Sequence, residues 1–104
     1  PAYEAAKSAV LSYSKHLARI LGEKNIRVNT VAPGNIMISG GTWDKKIKAD
    51  RKSVEAMIKN EVPLKRFGLA KEVANAVIFL ASSKASFVTG ACLIVDGGQT
   101  RTIS

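Results

Sequence analysis

The strongest clue to the fold of this sequence is an uninterrupted apolar run, Ala91–Val95, which stops at Asp96 and two glycines. A strand that is apolar at every position, rather than at every second one, is typical of a parallel sheet covered on both faces. Alternating β-branched residues predict an earlier strand over 26–31, and helical spacing predicts a helix over 70–82 between the two. Because strand, helix and strand follow in this order, we expect a right-handed crossover, a parallel pair and an α/β fold.

Two parallel strands do not form a stable sheet by themselves, because they need neighbouring strands and cover on both faces. A chain of 104 residues offers too little partner surface for the run 91–95. We therefore expect residues 1–104 to be the C-terminal segment of a single larger domain. Its N-terminal half would be absent from this chain.

A long helix is predicted at the start of the chain, from Pro1 to about Glu23. Its apolar residues recur at about 100° intervals and form one stripe: Ala2, Ala6, Ala9, Val10, Tyr13, Leu17, Ile20 and Leu21. Residues 35–52 show no clean period and predict an irregular segment, which at this length is usually a functional lid or a disordered loop. Ser53 is a candidate cap for a short helix after that segment.

The first helix carries a tyrosine and a lysine, Tyr3 and Lys7, at a spacing of four residues. That spacing places the two side chains one turn apart on the same helix face. A free phenol has a pKa of about 10, and a nearby positive charge lowers it. The pair is therefore a candidate acid/base device. A solvated tyrosine and lysine would give the same spacing, and only further motifs can separate the two interpretations.

The net charge of +8 includes a basic run between residues 45 and 52. A basic patch can bind nucleic acid, but this run contains no interleaved aromatic residues and no nucleic-acid-binding signature. We expect a solvated basic face, or attraction for an acidic substrate or carrier, and no nucleic-acid partner. The longest apolar runs are too short to span a membrane, and no signal peptide or metal-binding motif is visible. Cys92, the only cysteine, lies in an apolar run and predicts a buried, inert thiol in a reducing cytoplasm.

Five blocks together make the sequence similar to the C-terminal half of a classical short-chain dehydrogenase/reductase. The closest resemblance is to the 3-oxoacyl-carrier-protein reductase branch. The blocks follow the order and spacing of that family and cover nearly the whole chain: YEAAK at 3–7, IRVNTVAPG at 26–34, PLKRFG at 63–68, EVA at 72–74 with FLAS at 79–82, and VTGACLIVDGG at 88–98. The resemblance implies the C-terminal part of a Rossmann-type, doubly wound parallel sheet, in the order helix, strand, lid, helix, strand.

The resemblance also implies roles for individual residues. Tyr3 matches the catalytic tyrosine, which exchanges a proton with the substrate oxygen. Lys7 matches the lysine that lowers the pKa of that tyrosine and binds the nicotinamide ribose of NAD or NADP. Pro33, Gly34 and Ile36 match the turn whose backbone borders the nicotinamide, where a missing side chain lets the backbone approach a flat ring. The substrate lid would cover about 35–62 and would include three large side chains: Met37, Trp43 and Met57.

Two departures limit what the resemblance implies. Ile38 stands where the family often has a threonine that holds the carboxamide or a phosphate, and Ser39 could replace it only if the loop shifts. The family's catalytic serine, glycine-rich phosphate loop and NAD- or NADP-selecting residue would lie upstream of this chain. We therefore expect an oxidoreductase acting on a small or carrier-linked ketone or secondary alcohol in the parent protein, which would form a homodimer or homotetramer. The alternative is a catalytically inert piece with a structural or dimerisation role.

Overall fold

The computed structural model describes residues 2–101, which alternate between helices and short strands. Short 3-10 turns follow the first and last helices, at Gly22–Lys24 and Ser83–Ala85. The elements in chain order are α1 (Ala2–Leu21), β1 (Thr30–Pro33), β2 (Ile36–Met37), α2 (Thr42–Ala49), α3 (Arg51–Glu61), β3 (Gly68–Leu69), α4 (Ala70–Ala81) and β4 (Cys92–Val95). None of the helices in this described part is long and apolar enough to cross a membrane.

Strands β1 and β4 form a parallel pair, as the sequence predicts. Their register aligns Thr30 with Cys92 and Pro33 with Val95, so both strands end at the same edge. A second parallel pair joins β2 to β3 over two residues each. The α/β class and the parallel crossover are therefore confirmed, with two parallel pairs as expected for part of a parallel sheet. Helix α4 lies against both β1 and β4.

Strand β1 begins four residues later than the predicted start at Ile26. The segment 26–29 is not paired in a regular strand ladder, and side chains supply several of its contacts. The Arg27 guanidinium donates to the carbonyl oxygens of Leu80, Val88 and Ser82 at 2.6, 3.3 and 3.2 Å. These contacts direct the segment toward the end of α4, and the regular ladder starts only at Thr30.

The irregular segment predicted over residues 35–52 is wrong, because much of it is helical. Helix α2 covers Thr42–Ala49 and α3 follows after a single residue, Asp50. The carboxylate of Asp50 accepts a hydrogen bond from the Ser53 amide at 3.2 Å, so Asp50 caps α3 in place of the predicted Ser53. Six cations between residues 45 and 59 blurred the apolar period of these two short helices.

The described residues contain a small core of aliphatic side chains. Its buried members come from α1, from α3 and the residue after it, from α4 and from the turn beyond α4: Ala18, Val54, Ile58, Val62, Leu80 and Ala85. Strand β4 is only partly covered, and Leu93 is 36% exposed. The expected burial of Cys92 is also wrong, since this thiol is half-buried. An apolar strand with so little cover matches the expectation that further strands and helices belong beside it.

Helix α1 is confirmed over Ala2–Leu21, and the predicted start at Pro1 lies outside the described residues. Only the end of the predicted apolar stripe packs, where Leu17 and Leu21 are half-buried. Val10, Tyr13 and Ile20 are 58, 63 and 52% exposed. The helix instead docks through its second half, where Ala18 is buried and the Lys15 ammonium donates to the Gly90 carbonyl at 3.2 Å. The first turns of α1 therefore extend along an open cleft rather than into a core.

Candidate active site

An open cleft of about 460 Å³ lies where β1 and β4 end, beside the first turns of α1. The carboxyl ends of parallel strands are the usual ligand-binding edge of an open α/β sheet. The wall combines residues from α1, β1, β4 and the turn after β4: Tyr3, Lys7, Leu11, Ala32, Pro33, Gly34, Asn35, Cys92, Ile94, Asp96, Gln99 and Thr100. Four of the predicted site residues, Tyr3, Lys7, Pro33 and Gly34, thus lie around one space.

Tyr3 and Lys7 reach this cleft because α1 is regular from Ala2 onward. Residues three and four apart on a helix are neighbours on its surface, so both side chains project from the same face. Tyr3 is 78% exposed, which leaves its hydroxyl accessible to a molecule entering the cleft. The arrangement can present one proton-donating phenol and one fixed positive charge to a bound carbonyl or hydroxyl group.

Gly34 is required by the packing of the two strand ends. A Cβ atom built on Gly34 would lie 2.6 Å from the Asp96 Cβ and 2.8 Å from the Asp96 Cα. The Gly34 amide also donates to the Val95 carbonyl at 2.9 Å, which continues the β1–β4 ladder. The structure therefore supplies a reason for this glycine that the sequence did not: it lets β1 end in direct contact with the residue after β4.

Asp96 organises the turn that carries the cleft beyond β4. Its carboxylate accepts hydrogen bonds from the amides of Gly98 and Thr100 at 2.9 and 2.7 Å. Hydrogen bonding from Thr100, and from the backbone amides of the turn, holds the pKa of Asp96 below its ordinary value. The charged form of Asp96 thus fixes Gln99, whose own amide donates to the Asp96 carbonyl at 3.3 Å.

Asn35 and Gln99 line the candidate site, and the sequence did not predict this. The Asn35 side-chain amide donates to Gln99 Oε1 at 3.0 Å and approaches Met57 Sδ at 3.8 Å. The Asn35 carbonyl accepts from the Gly68 amide at 2.9 Å, which fixes the backbone at this point. Each residue follows a glycine-containing turn, which is a weak signal. Only the β1–β4 register brings together residues that are 64 positions apart.

Ile36 lies on a neighbouring cavity rather than among the cleft residues. This second space, also about 460 Å³, is bordered by Ile36, by the connector between α3 and β3 (residues 62–67), and by Asp96 and the two glycines after it. Ile36 pairs with Gly68 across the β2–β3 ladder, and its Cδ1 would lie 2.7 Å from a Cβ at that glycine. Asn35, Ile94 and Asp96 border both spaces and lie between them.

The predicted lid residues lie on separate elements. Met37 is half-buried in β2, and Met57 reaches the cleft wall through its contact with Asn35. The Trp43 ring lies 5.5 Å from the Phe67 ring, centroid to centroid, and the Lys46 ammonium lies 4.6 Å from the Trp43 ring. Trp43 therefore ties α2 to the connector, and it is not among the residues around the cleft.

The basic run is mostly solvated on α2 and α3. Lys48 and Arg51 pair with acids one turn away, Asp44 and Glu55, at 3.4 and 3.3 Å. A hydrogen bond from the Gly40 amide, followed by the charge of Lys48, lowers the pKa of Asp44 below its ordinary value. Within residues 2–101, no group of three or more histidine, cysteine or acidic residues is placed to hold a metal ion.

Comparison with known proteins gives a family match over almost the whole sequence. The family model described as "Enoyl-(Acyl carrier protein) reductase" matches residues 1–100. The 3-oxoacyl-[acyl-carrier-protein] reductase of Chlamydia trachomatis is 44% identical over 101 residues, covering 93% of this chain and 37% of that protein. The chain spans about the same share, 37%, of the other curated relatives that it matches most strongly.

Solved structures also match almost the whole chain. The L-sorbose reductase of Gluconobacter frateurii, complexed with NADPH and L-sorbose, superposes with a TM-score of 0.86 at 32% identity and covers 99% of this chain and 41% of its own. A 4-hydroxyisoleucine dehydrogenase complexed with NADH superposes with a TM-score of 0.83 at 33% identity, covering 98% of this chain and 40% of its own. The similarity therefore extends over this whole chain and over about two fifths of each matched protein.

Proposed function

The chain belongs to the short-chain dehydrogenase/reductase family, and from that membership we propose a function for the intact protein. It transfers a hydride between NAD(H) or NADP(H) and a ketone or secondary alcohol. The observation that supports this most is the shared cleft, where the phenol of Tyr3 and the ammonium of Lys7 border the ends of two parallel strands. Matched proteins bound to NADPH and to NADH support either form of the cofactor.

Tyr3 acts as the general acid of the reduction. Its hydroxyl donates a proton to the carbonyl oxygen of the substrate as a hydride arrives at the carbon, and it accepts the proton in the reverse direction. The positive charge of Lys7 stabilises the phenolate that this transfer leaves on Tyr3. General acid catalysis of this kind contributes rate factors of about 10²–10⁴.

The cleft fits the nicotinamide end of the cofactor. When bound, the nicotinamide would supply or accept the hydride. Lys7 would hold the ribose, and the backbone of Pro33 and Gly34 would border the ring. Ile36 joins this set as a prediction from the family motif, although it lies on the neighbouring cavity. The phosphate-binding part of the site would come from the larger domain, of which residues 1–104 are the C-terminal segment.

Residues 35–62 form the substrate lid in this proposal. Its helices α2 and α3 are joined at Asp50, and it contacts the cleft wall through Met57 and Asn35. Met37 and Trp43 lie elsewhere in the same segment and would shape the lid rather than the floor of the cleft. The exposed cations of α2 and α3 would favour a small or carrier-linked carbonyl substrate that bears negative charge.

The test is a Tyr3→Phe variant of the intact protein, which keeps the ring and removes only the hydroxyl. We expect kcat to fall by about 10²–10⁴-fold, while NADH or NADPH still binds in a fluorescence titration. Tyr13→Phe is the matched control, since Tyr13 lies on the same helix, is 63% exposed and is not among the cleft residues. Near-normal turnover in Tyr3→Phe would refute the proposal.

A second candidate function is a structural role for the chain alone. The apolar side chains left open on α1 and α4, such as Val10 and Ile78 at 58 and 64% exposed, support a surface that pairs with other protein. In that case the isolated 104 residues are catalytically inert and contribute to a homodimer or homotetramer. Titration of the isolated chain with NADH and NADPH separates the two, because saturable binding contradicts an inert piece. A cytoplasmic location stays a prediction from the lone Cys92.

A further inference from the structure

The wall of the Tyr3 cleft contains two carboxamides that are bonded to each other. The Asn35 amide donates to Gln99 Oε1 at 3.0 Å, and both side chains are half-buried. A carboxamide has two N–H donors and one carbonyl acceptor. One bond between two carboxamides therefore leaves a free carbonyl on one residue and a free amino group on the other, whichever way the amides are turned.

The backbones of both residues are fixed by hydrogen bonds. The backbone carbonyl of Asn35 accepts a hydrogen bond from the Gly68 amide at 2.9 Å. Gln99 sits in the turn that the Asp96 carboxylate fixes through the amides of Gly98 and Thr100. A hydrogen-bonding pair with fixed backbones loses little freedom when a ligand binds, so its contacts add to affinity and orientation.

The pair borders the same cleft as Tyr3 and Lys7. A substrate whose reacting oxygen meets Tyr3 therefore has other atoms within the same space. A hydroxyl can use a free acceptor and a free donor at once, because it both donates and accepts, whereas a methyl group can use neither. A carboxylate cannot match both groups of the pair, because it accepts hydrogen bonds but does not donate them.

We propose that the Asn35–Gln99 pair binds a second, hydroxyl oxygen of the substrate, and that the protein acts on hydroxy ketones and the corresponding diols in preference to simple alkyl ketones. This inference depends on the proposed function, because it places the reacting carbonyl at Tyr3. Asn35 and Gln99 are thus specificity-determining residues of that site. They take no part in proton or hydride transfer.

The test compares hydroxyacetone with 2-butanone, which differ by a hydroxyl in place of a methyl group. The intact protein is assayed with NADH or NADPH as wild type, Asn35→Leu and Gln99→Met. Each variant should lower the ratio of kcat/KM values, hydroxyacetone over 2-butanone, by about tenfold relative to wild type, the worth of one hydrogen bond. The loss should fall mainly on KM. Using the change in the ratio cancels the different intrinsic reactivities of the two ketones.

Asn75→Leu is the matched control, since Asn75 is an exposed carboxamide on α4 and should leave the ratio within twofold of wild type. If Asn35→Leu disturbs the lid, Gln99→Met carries the test, because Gln99 lies in the turn after β4 and outside the lid segment. Variants that slow both ketones equally would overturn the inference and leave the proposed function standing. Tyr3→Phe should slow both reactions by about 10²–10⁴-fold, and near-normal turnover in that variant would overturn the proposed function instead.

Binding provides a readout that does not depend on turnover. Saturation-transfer NMR of the intact protein with NAD(P) should show stronger transfer to hydroxyacetone than to 2-butanone, and Gln99→Met should remove the difference. Equal transfer to both ketones in the wild type would overturn the inference even if neither ketone is turned over.

Discussion

Lys65 is the one lysine in the described residues with a left-handed backbone conformation, at a φ of +61°. A residue with a side chain loses about 1 kcal/mol of stability in this region, and glycine does not. The Lys65 ammonium donates to the carbonyl oxygen of Lys59 in the last turn of α3. Since the final carbonyls of a helix lack partners within it, a lysine cap there stabilises the helix end. The cap offsets part of the backbone strain.

Two substitutions at Lys65 separate the strain from the cap. Lys65→Ala keeps the strained backbone and loses the cap, whereas Lys65→Gly loses the cap and relieves the strain. We expect the alanine variant to be less stable than the glycine variant by about 1 kcal/mol, because the two differ mainly in the left-handed cost. Urea unfolding of the intact protein measures this difference, and an alanine variant as stable as the glycine variant would contradict it.

Among the elements, the ends of β1 and β4 pack closely because Gly34 has no side chain to separate it from Asp96. A Cβ on Gly34 would meet the Cβ and Cα of Asp96 at 2.6 and 2.8 Å, and neither atom can move without moving the strand end. Because the cleft opens directly beside this joint, the position of the strand ends decides the position of Asn35 and Asp96.

Gly34→Ala should therefore destabilise the fold by about 1–3 kcal/mol, the usual range for overpacking. It should also lower activity, because Asn35 and Asp96 would move. Gly22→Ala is the control, since nothing lies within 4 Å of a Cβ at Gly22 and no left-handed φ is present there. Thermal unfolding and kcat/KM of both variants are the measurements. A Gly34→Ala protein with wild-type stability and activity would show that the joint is not tight.

Helix α4 begins at an ion pair that also caps it. Arg66 contacts Glu72 through two hydrogen bonds of 2.8 and 2.9 Å, and Glu72 accepts from the Leu69 amide at 3.0 Å. The hydrogen bonds from Arg66, and next the one from Leu69, lower the pKa of Glu72 from 4.5 to about 2. The same pair raises the pKa of Arg66.

This shift fixes the sign of a pH dependence. A carboxylate with a lowered folded-state pKa contributes stability above its unfolded value, here 4.5, and the contribution is lost as the pH falls toward about 2. Arg66→Gln should raise the pKa of Glu72 toward 4.5. The pH range over which this carboxylate changes the stability of the fold should then become narrower. An NMR titration of the Glu72 carboxyl carbon in both proteins measures the shift. The same low value in Arg66→Gln would mean that the backbone hydrogen bond alone causes it.

The molecule as a whole is open for its size. Its accessible surface is 7828 Å², whereas a compact protein of this mass would expose about 5,700 Å². The radius of gyration is 16.0 Å, against about 13 Å for a compact domain of this length. Much of the excess is apolar, including Phe87, which is fully exposed, and Ile78 on α4. These values favour a segment that completes its core against other parts of a larger domain.

The isolated chain should consequently behave as an incomplete domain. With few buried side chains, it should bind a hydrophobic dye such as ANS and unfold on heating without a sharp cooperative transition. The intact protein under the same conditions is the control and should show one cooperative transition and little dye binding. Cooperative melting of the isolated 104 residues would contradict the larger-domain proposal.

Patterns that depend on neighbours in the chain were readable from the residues alone. The helical spacing of α1 and α4, the apolar run of β4 and the four-residue step from Tyr3 to Lys7 all follow from local geometry. The family motifs extended this information to the fold class. The predicted irregular segment failed because α2 and α3 are short and rich in cations, so their period is weak.

The remaining features required the folded chain, because they join residues far apart in sequence. The hydrogen bonds of Arg27 delay the start of β1, and the docking of α1 leaves Val10, Tyr13 and Ile20 of its apolar stripe exposed. The Asn35–Gln99 pair spans 64 positions and exists only because β1 and β4 lie in register. Local spacing specifies helices, strands and the side chains one turn apart. Contacts between distant segments depend on strand register and on which apolar surfaces find cover, and neither is written in any single stretch of the chain.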